Sequence, residues 1–113
     1  MELLEDEVNF YIVSELVTGG ELYDYIIKKK RLSERESANV IKQILLALNY
    51  MHQQNIAHRD IKPENILIAP EDDSDTINVK LTDFGFACFF KSEKGLKQVL
   101  GSPLYMAPEI YKD

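Results

Sequence analysis

The chain has 113 residues, 45% of them hydrophobic, with a formal net charge of -6 at pH 7 and a pI near 4.9. That is enough apolar material for one small globular core, and the acidic balance excludes nucleic-acid phosphate as the main partner while favouring cations or basic peptides. One cysteine, Cys88, cannot form an internal disulfide, the acidic start MELLEDEV is unlike a signal peptide, and no apolar run nears the length of a membrane span. The expectation is a soluble protein of the cytoplasm or nucleus, with neither nucleic acid nor membrane among its partners.

In chain order, NFYIV (Asn9 to Val13) is short and rich in β-branched and aromatic residues, which predicts a strand. Gly19 and Gly20 break it. From Glu21 to Lys30, Leu22, Tyr25, Ile26 and Lys29 fall at helical spacing, with cations at the end where the helix dipole favours them. Ser33 opens S-E-R-E, a capping box in which Ser33 and Glu36 satisfy each other's free backbone donors. The stripe of Val40, Ile41, Ile44, Leu45, Leu48 and Met51 then predicts a helix of about 20 residues with one face in the core.

The second half holds the chemistry. HRDIKPEN (His58 to Asn65) precedes ILIA (Ile66 to Ala69), and INVKL (Ile77 to Leu81) precedes Asp83. Two apolar runs around the acidic segment PEDDSDT predict a β-hairpin with a long loop. Its stem brings Asp60 and Asn65 near Asp83. Carboxylate and amide oxygens gathered in this way suit magnesium, which prefers one or two carboxylates together with substrate phosphates and water. Pro63 limits the backbone freedom between Asp60 and Asn65, and Gly85 permits a sharp turn that lets Phe84 pack inward while Asp83 faces the ion. The acidic loop EDDSD has neither the glycine nor the terminal glutamate of an EF-hand, and reads as a solvated loop.

HRD with Asn65, then DFG at Asp83 to Gly85, then APE at Ala107 to Glu109 is, in that order, the signature set of protein kinases. The chain resembles the catalytic domain of eukaryotic protein kinases along essentially its whole length. The implied fold is a partial kinase-like α+β architecture: residues 1–13 end the small lobe, 14–20 form the hinge, and 21–113 run through the large lobe to the end of the activation segment. GGELYDYIIKKKRLSERESANVIKQIL and FFKSEKGLKQVLGSPLYMAPEI make it similar to the calcium- and calmodulin-dependent group, including the calcium-dependent kinases.

The resemblance implies ATP and Mg2+ as cofactors and proteins with Ser/Thr acceptors as substrates. Asp60 is the implied catalytic base and Lys62 the cation on the moving phosphate, while Asn65 and Asp83 are the implied metal ligands. The carbonyl of Glu15 and the amide of Val17 would read adenine, with Leu67 as the pocket floor and Ser14 leaving its rear open. Glu21 and Glu64 would meet ribose and basic residues upstream of the acceptor. His58 and Phe84 match a stacked apolar pair. Arg59 often holds a phosphorylated residue in this family, but Gln98 stands in that place, implying activation without phosphorylation there. Ser92 and Ser102 remain candidate acceptors, and Ser102 also matches the residue that contacts Asp60 and Lys62. Cys88 reads as an inert half-buried thiol.

The sequence contains no G-x-G-x-x-G loop and no strand lysine, so the isolated residues are expected to position phosphates poorly. A calcium-sensing regulator is expected outside these residues. The rival expectation is a truncated, non-catalytic product that binds a protein partner through an exposed apolar face.

Overall fold

The computed structural model describes residues 1–70, 76–91 and 95–111. Its elements in chain order are Glu2–Glu5 (β1), Phe10–Val13 (β2), Leu22–Lys29 (α1), Glu34–Gln53 (α2), Ile56–Ala57 (β3), Ile66–Ala69 (β4), Asn78–Leu81 (β5) and Cys88–Phe89 (β6), with short 3-10 turns at Pro63–Asn65, Pro103–Tyr105 and Pro108–Tyr111. The EDDSD loop and Ser92 lie outside the described residues.

Strand β1, which the acidic start concealed, pairs antiparallel with β2, setting Glu2 opposite Val13. Asp6 makes their turn. Its Oδ1 accepts the amides of Val8 and Asn9 at 2.8 and 2.7 Å, and its Oδ2 accepts the Tyr11 hydroxyl at 2.7 Å. Asn9 is therefore consumed by the turn, and the predicted strand starts at Phe10 instead.

Helix α1 is shorter at each end than its pattern suggests. Glu21 is a cap with extended backbone, bridged to Leu67, and Lys30 leaves the helix at φ 72°. Helix α2 runs the expected 20 residues, from the capping box onward. The Glu36 amide donates to Ser33 Oγ at 3.2 Å, and the Ser33 amide donates to Glu36 Oε2 at 2.8 Å. Lys29 at the end of α1 pairs with the other Glu36 oxygen, joining the two helices.

The core lies between the helices and the β4–β5 hairpin. Leu22, Val40, Ile44 and Ile66 are buried together, flanked by Leu48 and Val79. β4 and β5 are antiparallel, with Ile66 opposite Leu81 and Leu67 opposite Lys80. The outer edge of β5 is closed by two side chains of α2. Asn39 and Gln43 both donate to the Ile77 carbonyl at 2.8 Å, and Gln43 Oε1 accepts the Val79 amide at 3.0 Å. These amides occupy the positions of a neighbouring strand's backbone groups, so the strand edge is not left unpaired.

Two further ties position the site. β3 pairs with β6, Ala57 opposite Cys88, which lays the segment after Asp83 beside the residues preceding His58. The 14–20 linker joins β4, with the Gly19 amide donating to Ile68 O at 3.0 Å and the Ile68 amide to Gly20 O at 2.8 Å. A Cβ on Gly19 would stand 2.2 Å from that Ile68 oxygen, so only glycine permits the approach.

Removing the capping hydroxyl with Ser33→Ala is expected to cost about 1 kcal/mol, read as a lower urea midpoint at unchanged slope. Lys29, and then Ser33, hold the Glu36 carboxyl at about 2, below its ordinary 4.5. A depressed carboxylate contributes stability above its unfolded value and loses it on acidification. Helicity followed by circular dichroism should therefore fall between about pH 4.5 and 2, and Glu36→Gln should flatten that part of the curve.

Candidate active site

The loop from His58 to Asn65 is built around buried polar groups, which need complete hydrogen bonding to be tolerated. His58, Asp60 and Asn65 are only 2%, 6% and 6% exposed, in a chain with few buried residues. His58 Nε2 donates to the Thr82 carbonyl at 2.9 Å, while its Nδ1 accepts the Asp60 amide at 3.3 Å. This ring thus fixes the backbone of the loop against the end of β5.

Asn65 binds the two halves of the site. Its Nδ2 donates to the Asp60 carbonyl at 2.9 Å and to Asp60 Oδ2 at 3.0 Å, and its own carbonyl accepts the Thr82 amide at 3.0 Å. Asp83 follows directly at φ 58°, with Oδ1 accepting the Gly85 amide at 3.2 Å. Asp60 and Asn65 are in contact. Asp83 is brought beside them through Thr82, without a direct hydrogen bond to either, and its charge is felt at Lys62.

The Asp60 carboxylate has three polar neighbours, Asn65, Ser102 and Lys62. Oδ1 accepts the Ser102 hydroxyl at 2.7 Å, Oδ2 lies 3.1 Å from Lys62 Nζ, and Lys62 also donates to Ser102 Oγ at 2.8 Å. Burial pushes the Asp60 carboxyl up, but the bonds from Ser102, Lys62 and Asn65 outweigh it and hold the group below its ordinary value. The same carboxylate raises Lys62. Asp60 is thus an ionised acceptor beside a cation.

The segment after Asp83 folds back over this loop. Arg59, at φ 68°, donates through Nε to the Phe86 carbonyl at 2.6 Å and through a terminal nitrogen to Gln98 Oε1 at 3.0 Å. The residue that sequence pattern placed opposite Arg59 is thus its partner, as a neutral amide. Gly101, at φ +127°, passes so close to Arg59 that a Cβ would meet its carbonyl oxygen at 2.7 Å, and this approach delivers Ser102 to Asp60. Motif spacing gave no sign of Gly101's role; its position just before Ser102 was the available signal.

One expectation needs correction. Phe84 does meet His58, with ring centroids 5.1 Å apart, but it is 52% exposed and not packed inward. Its ring leans on His58 and also lines an open cleft of about 630 Å³. Ser14, Glu15, Val17 and Leu67 line that cleft too, beside Thr82 at the edge of the Asp60 cluster. Glu21 is outside its lining, one bridge away at Leu67. Glu64 has one buried carboxylate oxygen without a hydrogen-bond partner among the described residues. Among the described residues no group of three or more His, Cys, Asp or Glu could hold a metal ion.

The chain belongs to the protein kinase family: the family model for the protein kinase domain matches residues 1–113, and the fold is a partial kinase-like α+β unit. It is 45% identical over 109 residues to calcium-dependent protein kinase 4 of Plasmodium falciparum (isolate 3D7), covering 96% of this chain and 20% of that protein. Calcium-dependent protein kinase 5 of Plasmodium berghei (strain Anka) is 49% identical over 111 residues, covering 98% and 19%. The phosphorylase b kinase gamma catalytic chain, liver/testis isoform, of Rattus norvegicus is 42% identical over 102 residues, covering 90% and 24%. The chain therefore spans about a fifth of the length of these relatives. No described helix is long and apolar enough to cross a membrane.

Because Ser102 is the foremost of the bonds that lower the Asp60 carboxyl, Ser102→Ala is expected to raise its titration toward the ordinary aspartate range. Carboxyl-carbon NMR of the labelled protein would follow this shift directly.

Proposed function

We propose that these residues form the phosphotransfer site of an ATP-dependent serine/threonine kinase. The observation that carries the reading is the Asp60 cluster: a buried, ionised carboxylate held by Asn65, Lys62 and Ser102 next to an open cleft. Residues 1–13 are then the end of a small lobe, 14–20 the hinge, and 21–113 the large lobe through the activation segment. The setting is the cytoplasm or the nucleus.

In this reading adenine lies in the cleft against Leu67, read by the Glu15 carbonyl and the Val17 amide, with Glu21 toward the ribose. The donor set suits magnesium. Asn65 turns its amide nitrogen to Asp60, which leaves its side-chain oxygen without a donor among the described residues, and Asp83 offers an exposed carboxylate. A bound magnesium ion would neutralise charge on the nucleotide phosphates.

Asp60 orients the acceptor hydroxyl and takes its proton as that oxygen bonds to the γ-phosphorus and the bond from phosphorus to the β–γ bridging oxygen breaks, releasing ADP. Lys62, charged beside Asp60, offsets the negative charge of the phosphoryl group in transit. Ser102 holds both side chains in place. Glu64, a half-buried acid of the same loop whose charge reaches Lys62, supports a preference for substrates with basic residues upstream of the acceptor. The kinship with calcium-dependent kinases supports a calcium-sensing regulator outside these residues.

A second reading is favoured by one observation. The accessible surface is 9300 Å², whereas a folded monomer of 13.0 kDa leaves roughly 6300 Å². The excess includes exposed apolar residues on β1, β2 and the outer side of α2, which suits a module that binds a protein partner and has little turnover by itself.

In the complete polypeptide carrying these residues, Asp60→Asn should lower phosphotransfer to a basic serine peptide by about 10²–10⁴-fold while Mg-nucleotide binding persists. Full activity of that variant would remove Asp60 from its role. Magnesium-dependent nucleotide binding by the 113-residue chain decides between the readings, because a binding module requires none.

A further inference from the structure

The 14–20 linker is pinned to the hairpin at two points of different character. At its far end the attachment is backbone: Gly19 and Gly20 pair with Ile68, and Glu21 bridges Leu67. At its near end, among the described residues, residues 14–18 are tied to the hairpin by one polar contact, between Glu15 Oε2 and Lys80 Nζ at 2.5 Å. The antiparallel register makes that contact consequential. Lys80 stands directly opposite Leu67 on the neighbouring strand, so both side chains rise from the same face of the hairpin. Both line the cleft, and so do Glu15 and Val17.

We propose that Lys80 is a positioning residue for the nucleotide: its stem extends the cleft floor beside Leu67, and its ion pair with Glu15 latches the near end of the linker, setting the distance between the linker backbone and that floor. This rests on the nucleotide reading of the cleft. The Lys80 and Glu15 side chains are 45% and 65% exposed, so the pair contributes little to global stability. Its effect falls on ligand affinity, because the linker backbone it steadies is the part that would read adenine. It is distant in role from Asp60, which is held by its own network. An exposed pair is also screened by salt, so the latch weakens as ionic strength rises.

The test uses the complete polypeptide, with the KM for Mg-ATP and the Kd for a fluorescent ADP analogue as readouts. Lys80→Met keeps the stem and removes the charge. It should raise KM and Kd by about twofold to fivefold, the size of an exposed pair, while kcat and the unfolding midpoint stay at wild-type values. Glu15→Gln should raise KM and Kd by a similar factor, and the exchange Glu15→Lys with Lys80→Glu should recover most of the affinity. Near 1 M salt, where screening acts within about 3 Å, wild type should approach Lys80→Met. Unchanged KM and Kd in an active Lys80→Met protein would overturn the latch and leave the kinase reading standing, as would a parallel fall of kcat and stability. Wild-type protein that binds no Mg-nucleotide would overturn both.

Discussion

The site depends on one buried carboxamide. Asn65 reaches back to the carbonyl and carboxylate of Asp60 through its side chain and forward to the Thr82 amide through its backbone, so it couples the loop before β4 to the residues after β5. Each of these bonds lies where water is excluded, and a buried donor or acceptor stripped of its partner costs about 1–3 kcal/mol. The geometry of Asp60 relative to Asp83 is therefore set by the completeness of this small network more than by apolar packing. Pro63 opens the single 3-10 turn that carries Asn65, giving the chain a fixed path over the few residues in which it must reverse.

A second set of ties explains how the later segment is held, with no charged partner for Arg59 among the described residues. The backbone is in the left-handed region at Arg59 and at Asp83, a conformation that costs energy and persists where its surroundings over-determine it. The surroundings here are specific. Arg59 is fixed by Phe86 and Gln98, Asp83 by Gly85, and the stretch around Gly101 lies directly on the Arg59 carbonyl. Strain at Arg59 and Asp83 is thus offset by the contacts around them, and the Ser102 hydroxyl is the point at which the later segment meets the Asp60 carboxylate.

Local signals made much of this legible. The capping box at Ser33, the apolar stripe of α2 and the β-branched runs of β4 and β5 are short-range patterns, and each names its element nearly to the residue. The convergence of Asp60 with Asn65 was likewise readable, because a hairpin stem must bring its flanks together. What escaped was set by partners distant in sequence. β1 is exposed along its whole length and has no apolar alternation to reveal it, β3 and β6 are two residues each and exist only as a pair, and the inward packing expected of Phe84 failed because its ring leans on His58 with about half of its surface still exposed. The roles of Lys80, Gln43 and Gly101 follow from register and close approach, which no window of sequence contains.

The contrast between site and surface has a physical consequence. Among the described residues only Leu22, Val40, Ile44, Met51 and Ile66 are buried apolar residues, whereas Ile41, Leu45, Leu46 and Tyr50 on α2 are 54% to 67% exposed. A helix that is apolar on two sides is stable when both are covered, and here one side meets the hairpin while the other meets solvent. The Cα radius of gyration, 16.2 Å against roughly 13 Å for a compact domain of this length, expresses the same openness. Covering those faces would add to global stability in proportion to the apolar area removed from water. The polar network around Asp60 is assembled over a short span, from His58 to Asn65 with Thr82 and Ser102, and it does not require that cover to define its geometry. The hairpin itself is seated on α2 through Asn39 and Gln43, so whatever steadies α2 also steadies the frame that carries this geometry.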